Sequence, residues 1–138
     1  MKSQAPASGG SAPAPVILVV DDHPPNVVLL TYLLQAHGYE VVGAQGAQEA
    51  LAALAEVTPR LILMDLQMPD IDGFALTRMI KANPATAAVP VVAVTSFAMS
   101  GDRERALAAG CDDYVAKPID TRTLPVLVAR YVAGTDSG

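Results

Sequence analysis

The chain has 138 residues, of which 51% are hydrophobic and 17% are charged, and its formal net charge is −5. This length and apolar content are sufficient for one domain with a hydrophobic core. The acidic balance, without a cluster of Lys and Arg, argues against a nucleic-acid groove and against binding to an anionic membrane surface.

The chain shows no feature of a secreted or membrane-spanning protein. Its one cysteine, Cys111, excludes an internal disulfide and fits a reducing compartment. No apolar run approaches the ~20 residues needed to span a bilayer, and the N-terminus has no apolar signal segment. We therefore expect a cytoplasmic protein.

The two ends of the chain differ in composition from its middle. Residues 1–15 are almost entirely Ala, Pro, Ser and Gly, which predicts a disordered tail or a linker. Residues 133–138 are expected to be a frayed C-terminus. Residues 16–132 are then predicted to form a single domain.

Within that domain, short apolar runs alternate with segments of helical periodicity. The predicted strands cover residues 16–20, 39–44, 61–65, 90–95 and 113–117. The predicted helices cover residues 25–38, 47–56, 73–82, 101–110 and about 122–132, the last with Pro125 in its first turn. Five such repeats, with strands that are apolar on both faces, predict an α/β fold with a parallel sheet covered on both sides.

Chemically useful side chains follow the predicted strands at the points where they end. Asp21 and Asp22 follow the first strand, Asp65 ends the third, Thr95 ends the fourth and Lys117 ends the fifth. In a doubly wound sheet these carboxyl ends form the ligand-binding edge. Three neighbouring carboxylates repel one another unless a hard cation such as Mg²⁺ binds them. The pattern therefore predicts a pocket that brings a phosphoryl group to Asp65, with the metal and Lys117 neutralising charge.

A simpler interpretation exists for each aspartate taken alone. An Asp after a strand is usually a turn residue or a helix cap, and Asp70 and Asp72 are interpreted in this way. Asp21 and Asp22 alone could cap the first helix. The coincidence of a distinct chemical group at each useful strand end favours a site.

Four motifs then resemble a known family, the receiver domains of two-component response regulators. They are "VDD" (20–22), "MDLQMPDIDG" (64–73), "VTS" (94–96) and "DDYVAKPI" (112–119), within a match over about residues 16–132. The chain looks most similar to single-domain regulators of the DivK type and to the receivers of hybrid histidine kinases. The resemblance implies a flavodoxin-like fold with strand order 2-1-3-4-5.

The resemblance also implies roles for the residues at the phosphoryl and metal site. Asp65 matches the phosphate acceptor, and Lys117 matches the lysine that pairs with it and then with the phosphoryl group. Asp22 matches a direct Mg²⁺ ligand and Asp21 the residue that holds metal-bound water. The backbone carbonyl of Gln67 matches the remaining protein ligand.

A second set of matched positions concerns switching. Thr95 matches the hydroxyl that turns toward the phosphoryl group, and Tyr114 matches the aromatic side chain that then moves inward. The Lys117–Pro118 peptide bond matches one that is usually cis in the family.

The implied function is signalling without catalysis on a separate substrate. A phosphohistidine on a histidine kinase or phosphotransfer protein is expected to donate its phosphoryl group to Asp65. The face formed by the fourth helix, fifth strand and fifth helix is then expected to change its affinity for a partner protein. A monomer or weak dimer is expected.

Three other interpretations of the sequence remain open. The same features fit a receiver fragment of a hybrid histidine kinase, with residues 1–15 as a linker. An Asp-nucleophile phosphohydrolase resembles families with the nucleophile after the first strand and a general acid two residues later, where this chain has Gln67. A flavin-binding module would need a phosphate-cradling loop after the first strand, where the acidic "DDHPPN" (21–26) would repel phosphate.

Several further residues carry weaker predictions. A bulky Phe97 is expected to hinder the water that attacks the phosphoryl group, and Gln67 is expected to orient that water. The hypothesis is slow autodephosphorylation, so that a small residue at position 97 should shorten the phosphorylated lifetime. His23 is expected to be a loop residue near a docking surface, because Mg²⁺ prefers oxygen ligands. His37 is expected near a helix end, and Cys111 is expected to be unreactive.

Overall fold

The computed structural model describes residues 14–66, 73–95 and 100–137. Its strands are β1 (Val16–Val20), β2 (Glu40–Ala44), β3 (Leu61–Asp65), β4 (Val91–Thr95) and β5 (Asp113–Ala116). Its helices are α1 (Pro24–Ala36), α2 (Ala47–Glu56), α3 (Gly73–Ala82), α4 (Ser100–Ala109) and α5 (Leu124–Ser137). Every predicted strand and helix is therefore present.

The five strands form one parallel sheet in the order β2-β1-β3-β4-β5, as predicted. The order reverses next to β1, which pairs with β2 on one side and with β3 on the other. Val20 of β1 lies opposite Met64 of β3, so the residue after each of them lies at the same edge of the sheet. This register brings Asp21 beside Asp65.

Alternate residues of each central strand enter two separate cores. Leu18 and Val20 of β1 pack with buried residues of α2, α3 and α4, whereas Ile17 and Val19 pack with buried residues of α1 and α5. All residues of β3 and β4 are buried, as their apolar sequences predict. The edge strands β2 and β5 are only partly buried, because each has a neighbour on one side alone.

The helix boundaries differ from the predicted ones by a few residues. α1 begins at Pro24, one residue early, and ends at Ala36, two residues before the Gly38 predicted as its last residue. Gly38 has a φ of 92°, a conformation that glycine adopts without strain. α5 begins at Leu124, with Pro125 in its first turn as predicted, and continues to Ser137.

The predictions for the chain ends have different outcomes. The backbone is helical beyond Val132, so the predicted end of the last helix was too early. The tail or linker predicted for residues 1–15 lies mostly outside the described residues and stays a prediction. Among the described residues, no helix has the length and apolar character needed to cross a bilayer.

Candidate functional site

Three carboxylates converge at the carboxyl edge of the sheet. Asp65 is the last residue of β3, and Asp21 and Asp22 directly follow β1. One carboxylate oxygen from each lies within 4.8 Å of the other two. Asp21 and Asp65 are only 3% and 2% exposed, so their charges lie in a poorly hydrated setting that favours a bound cation.

Lys117 brings the positive charge that faces this cluster. Its Nζ lies 3.5 Å from an Asp21 oxygen and 3.5 Å from an Asp65 oxygen. The residue follows β5, and its backbone N–H donates to the carbonyl of Thr95 at 2.8 Å. The Lys117–Pro118 peptide bond is cis. Lys117 therefore lies between two of the three carboxylates.

The two predicted switch residues lie on the neighbouring strands β4 and β5. Thr95 ends β4 and is fully buried, one residue beyond Val94, which pairs with Asp65. Tyr114 lies in β5 opposite Ala93 and is partly buried. The structure thus places Thr95 on the strand next to Asp65 and Tyr114 one strand further from it. The switching roles of both residues stay a prediction.

Both oxygens of the Asp21 carboxylate have donors from the start of α1. The His23 backbone N–H donates to Oδ1 at 2.8 Å, and the Asn26 side-chain amide donates to Oδ2 at 3.3 Å. His23 itself is the N-cap of α1, without a side-chain capping bond. The alternative in which Asp21 caps the first helix is therefore wrong for the observed geometry.

Gly73 allows α3 to begin directly against the backbone of Asp65. A Cβ at this position would lie 2.5 Å from the Asp65 carbonyl oxygen and 2.8 Å from the Leu66 Cα. The Gly73 N–H donates to the Leu66 carbonyl at 3.3 Å. Only glycine permits this close approach of α3 to the chain next to the Asp65 carboxylate. Its role was missed, although an Asp-Gly pair before a predicted helix signals a tight backbone position.

Several predicted residues do not enter the described site. Gln67 and Phe97 lie outside the described residues, as do Asp70, Asp72 and Ser96. The predictions made for them stay untested.

The remaining candidates have ordinary structural positions. The side chain of His23 is exposed, and the described metal-competent cluster contains only aspartates. Cys111 is buried, and this burial raises the pKa of its thiol. A thiol with a raised pKa is a poor nucleophile, in agreement with the expectation that Cys111 is unreactive.

The model of one family, described as the response regulator receiver domain, matches residues 17–129. The chain belongs to this family. The resemblance found in the four motifs is thereby confirmed.

The relatives agree with this assignment. The polar-differentiation response regulator DivK of Brucella anthropi is 41% identical over 116 residues, which are 84% of this chain and 94% of that protein. The crystal structure of the signal receiver domain of a Syntrophus aciditrophicus signal transduction histidine kinase has a TM-score of 0.81 at 34% identity, covering 88% of this chain and 92% of that one.

A third relative is described with a metal. The receiver domain of the sensor histidine kinase PA1611 from Pseudomonas aeruginosa has a TM-score of 0.80 at 34% identity, covering 87% of this chain and 98% of that one. Its crystal structure has a magnesium ion coordinated in the active site cleft. The fold and the family of the present chain are thus shown by sequence and by structure.

Proposed function

We propose that this receiver domain accepts a phosphoryl group on Asp65 and signals through changed contacts with a partner protein. The observation that carries the proposal is the cluster of Asp21, Asp22 and Asp65, with Lys117 3.5 Å from two of the three carboxylates. These are the groups that phosphoryl transfer to a carboxylate requires, arranged at one edge of the sheet.

The residues present fit a magnesium ion. Three carboxylates offer hard oxygen ligands, and their oxygens are close enough to one another to share one cation. Asp22 and Asp65 would bind the ion, Asp21 would bind it through water, and the Gln67 carbonyl would complete the protein ligands. When bound, the ion neutralises charge on the transferring phosphoryl group and its oxygens.

Asp65 is the nucleophile in the proposed transfer. One of its carboxylate oxygens forms a bond to phosphorus while the bond between phosphorus and the imidazole nitrogen of the donor phosphohistidine breaks. The electron pair of that bond stays on the imidazole, and the product on Asp65 is an acyl phosphate. Lys117 then pairs with the phosphoryl oxygens, since its ammonium group already faces the Asp65 carboxylate. The domain acts on itself, without a separate substrate to turn over.

The conformational change is proposed to begin at Thr95 and to reach the surface through β5. The backbone of Thr95 is hydrogen-bonded to Lys117, and Tyr114 lies on the next strand. A hydroxyl that turns toward the phosphoryl group would leave space for the Tyr114 ring. The face formed by α4, β5 and α5 would then present a different shape to the partner.

The phosphodonor is proposed to dock on α1. Three apolar side chains of this helix point into solvent, with Val28 53%, Leu29 41% and Tyr32 72% exposed. α1 begins two residues after Asp22, so a partner that covers this face would have its phosphohistidine near Asp65. A histidine kinase or a histidine phosphotransfer protein would supply that histidine.

A stand-alone regulator is favoured over a receiver of a hybrid histidine kinase by the DivK relative, of which the match covers 94%. Two of the structural relatives are receiver domains of histidine kinases, which supports the alternative that this chain is part of such a kinase. The mass of the endogenous product, measured with an antibody against this domain, distinguishes a protein of about this length from a kinase several times larger.

Intact mass spectrometry tests the proposed transfer. After treatment with acetyl phosphate and Mg²⁺, we expect one phosphoryl adduct on the wild type. No adduct should form when EDTA is added to remove the Mg²⁺. Asp65→Asn should fold and give no adduct, whereas Asp120→Asn, at an exposed turn outside the cluster, should label like the wild type. Equal labelling of wild type and Asp65→Asn would contradict the proposal.

A further inference from the structure

Asn26 is a polar side chain of the site to which the sequence motifs and the family match give no role. It is the third residue of α1, after two prolines that begin the helix. Its side chain is partly buried and, together with Asp21, Asp65 and Lys117, surrounds a narrow gap that is too small for a water molecule. The Asn26 amide donates to Oδ2 of Asp21 at 3.3 Å.

The Asp21 carboxylate is fixed at both oxygens. The His23 backbone N–H holds Oδ1 at 2.8 Å, while the Asn26 amide and the Lys117 ammonium group lie at Oδ2. With both oxygens held, the plane of the carboxylate cannot rotate freely. Its remaining lone pairs therefore keep one direction relative to the cluster.

Lys117 is shared between two carboxylates, whereas the hydrogen bond of the Asn26 side chain seen among the described residues goes to Asp21 alone. The ammonium group of Lys117 lies equally far, at 3.5 Å, from Asp21 and from Asp65. In the proposed transfer this ammonium group pairs with the phosphoryl group on Asp65. The Asn26 amide is then the side-chain donor that Asp21 retains at Oδ2.

The chemical nature of Asn26 suits this position. A carboxylate there would add a fourth negative charge to the cluster, and a cation would compete with a bound metal for Asp21. A neutral amide donor stabilises the ionised carboxylate and leaves the net charge of the site unchanged.

We propose that Asn26 is a positioning residue that orients the Asp21 carboxylate and thereby sets the affinity of the site for Mg²⁺. This inference rests on the proposed function, because it gives Asn26 a supporting role at the same metal site. Residues that orient metal ligands in this way contribute strongly to metal affinity although they do not touch the ion.

The test measures Mg²⁺ binding to the unphosphorylated full chain by isothermal titration calorimetry. Asn26→Leu replaces the amide by an apolar group with the same number of heavy atoms, and we expect it to raise the Mg²⁺ dissociation constant about tenfold. Gln35→Leu, at an exposed position of the same helix, is the matched control and should bind like the wild type. Thermal unfolding without metal shows whether each variant is folded.

A second variant and a second readout keep the test decisive. If Asn26→Leu does not fold, Asn26→Ala replaces it, with the same expected loss of affinity. The Mg²⁺ concentration that gives half-maximal labelling by acetyl phosphate should rise in parallel, while labelling at saturating Mg²⁺ remains on one site. A helix-start role alone would lower the melting temperature without moving either Mg²⁺ value.

The outcomes separate the two proposals. Wild type that binds Mg²⁺ and is labelled, together with Asn26 variants of unchanged Mg²⁺ affinity, would overturn this inference and leave the proposed function standing. Wild type that neither binds Mg²⁺ nor is labelled would overturn the proposed function and this inference with it.

Discussion

The two edges of the sheet each contain a lysine among carboxylates, but the lysines are bonded differently. At the amino edge, Lys81 Nζ donates to the carbonyls of Val89 and Ala87 at 2.8 and 3.3 Å and to the Asp112 carboxylate at 3.1 Å. At the carboxyl edge, Lys117 Nζ lies 3.5 Å from each of two carboxylates.

At the amino edge, the polar groups are bonded to other groups of the same chain. The Asp112 carboxylate accepts the Val91 N–H at 2.8 Å as well as Lys81. The Tyr131 hydroxyl contacts the Asp112 carbonyl and the Asp113 carboxylate, both at 3.1 Å. These contacts join α3, β4, β5 and α5 across the start of the strands.

The described residues at the carboxyl edge lack such a balance of charge. Three carboxylates face one ammonium group, so the cluster has an excess of two negative charges, which is the charge of one Mg²⁺ ion. A buried charge excess costs stability unless a ligand neutralises it. We infer that Lys81 mainly stabilises the fold, and we propose that Lys117 takes part in the chemistry.

The same substitution at the two lysines tests this contrast, and the largest effect is expected at Lys117. Lys117→Met should lower the rate of labelling by acetyl phosphate at saturating Mg²⁺ by about a hundredfold, because it removes the charge that stabilises the transferring phosphoryl group. Time courses of intact mass measure the rate. A labelling rate close to that of the wild type would show that Lys117 is not part of the chemistry.

Lys81→Met should have the opposite profile. We expect the free energy of unfolding to fall by about 1.5 kcal/mol, since the charged hydrogen bonds to Asp112 and two carbonyls are lost at a partly exposed position. Labelling should stay within about twofold of the wild type, because Lys81 and Lys117 have different partners among the described residues. Urea unfolding and the labelling assay check both values, and a large labelling defect would argue that the edges are coupled.

Magnesium should stabilise the carboxyl edge specifically. At a Mg²⁺ concentration ten times the dissociation constant, binding should add about 1.4 kcal/mol to the stability of the wild type. Lys81→Met should keep this increment, whereas Asp22→Asn should lose most of it. Melting curves at several Mg²⁺ concentrations measure it, with Ca²⁺-free buffer and NaCl at matched ionic strength as the control. Equal stabilisation of Asp22→Asn would place the ion elsewhere.

The smallest effect is expected at Tyr131. Burial, the hydrogen bond to Asp113 and the nearby negative charges raise the pKa of Tyr131 to about 12. Because the folded pKa lies above the unfolded one of about 10, the stability that the hydroxyl contributes is fully present below pH 10 and is lost as the pH rises toward 12.

Tyr131→Phe isolates this contribution. At neutral pH the variant should be less stable by about 1 kcal/mol, the usual value of a hydrogen bond. The difference from the wild type should shrink between pH 10 and pH 12, as seen in urea unfolding at each pH. A difference that stays constant over this range would show that the hydroxyl does not ionise with the expected linkage.

The parts that were predictable from sequence follow from the periodicity of the chain. Apolar runs such as residues 61–65 and 91–95 are buried on both faces, so their length and spacing identified the central strands. Because parallel strands end at a common edge, the sequence alone predicts that Asp21, Asp65 and Lys117 lie together. The four motifs identified the family.

The parts that were missed depend on geometry that no local pattern encodes. The Asn26–Asp21 contact depends on the angle at which α1 leaves β1, and Lys81 meets a carboxylate 31 residues away in the chain. The end of α5 was placed too early, since the polar residues after Val132 read as a chain end although the backbone remains helical.

The most direct test of the central claim is to locate the phosphoryl group itself. After labelling with acetyl phosphate and Mg²⁺, borohydride reduces an aspartyl phosphate to homoserine, and tandem mass spectrometry of the tryptic peptide 61–78 distinguishes positions 65, 70 and 72. We predict homoserine at position 65 alone, absent when EDTA is present. Homoserine at any other aspartate, or none in a protein that has gained the phosphoryl mass, would contradict Asp65 as the acceptor.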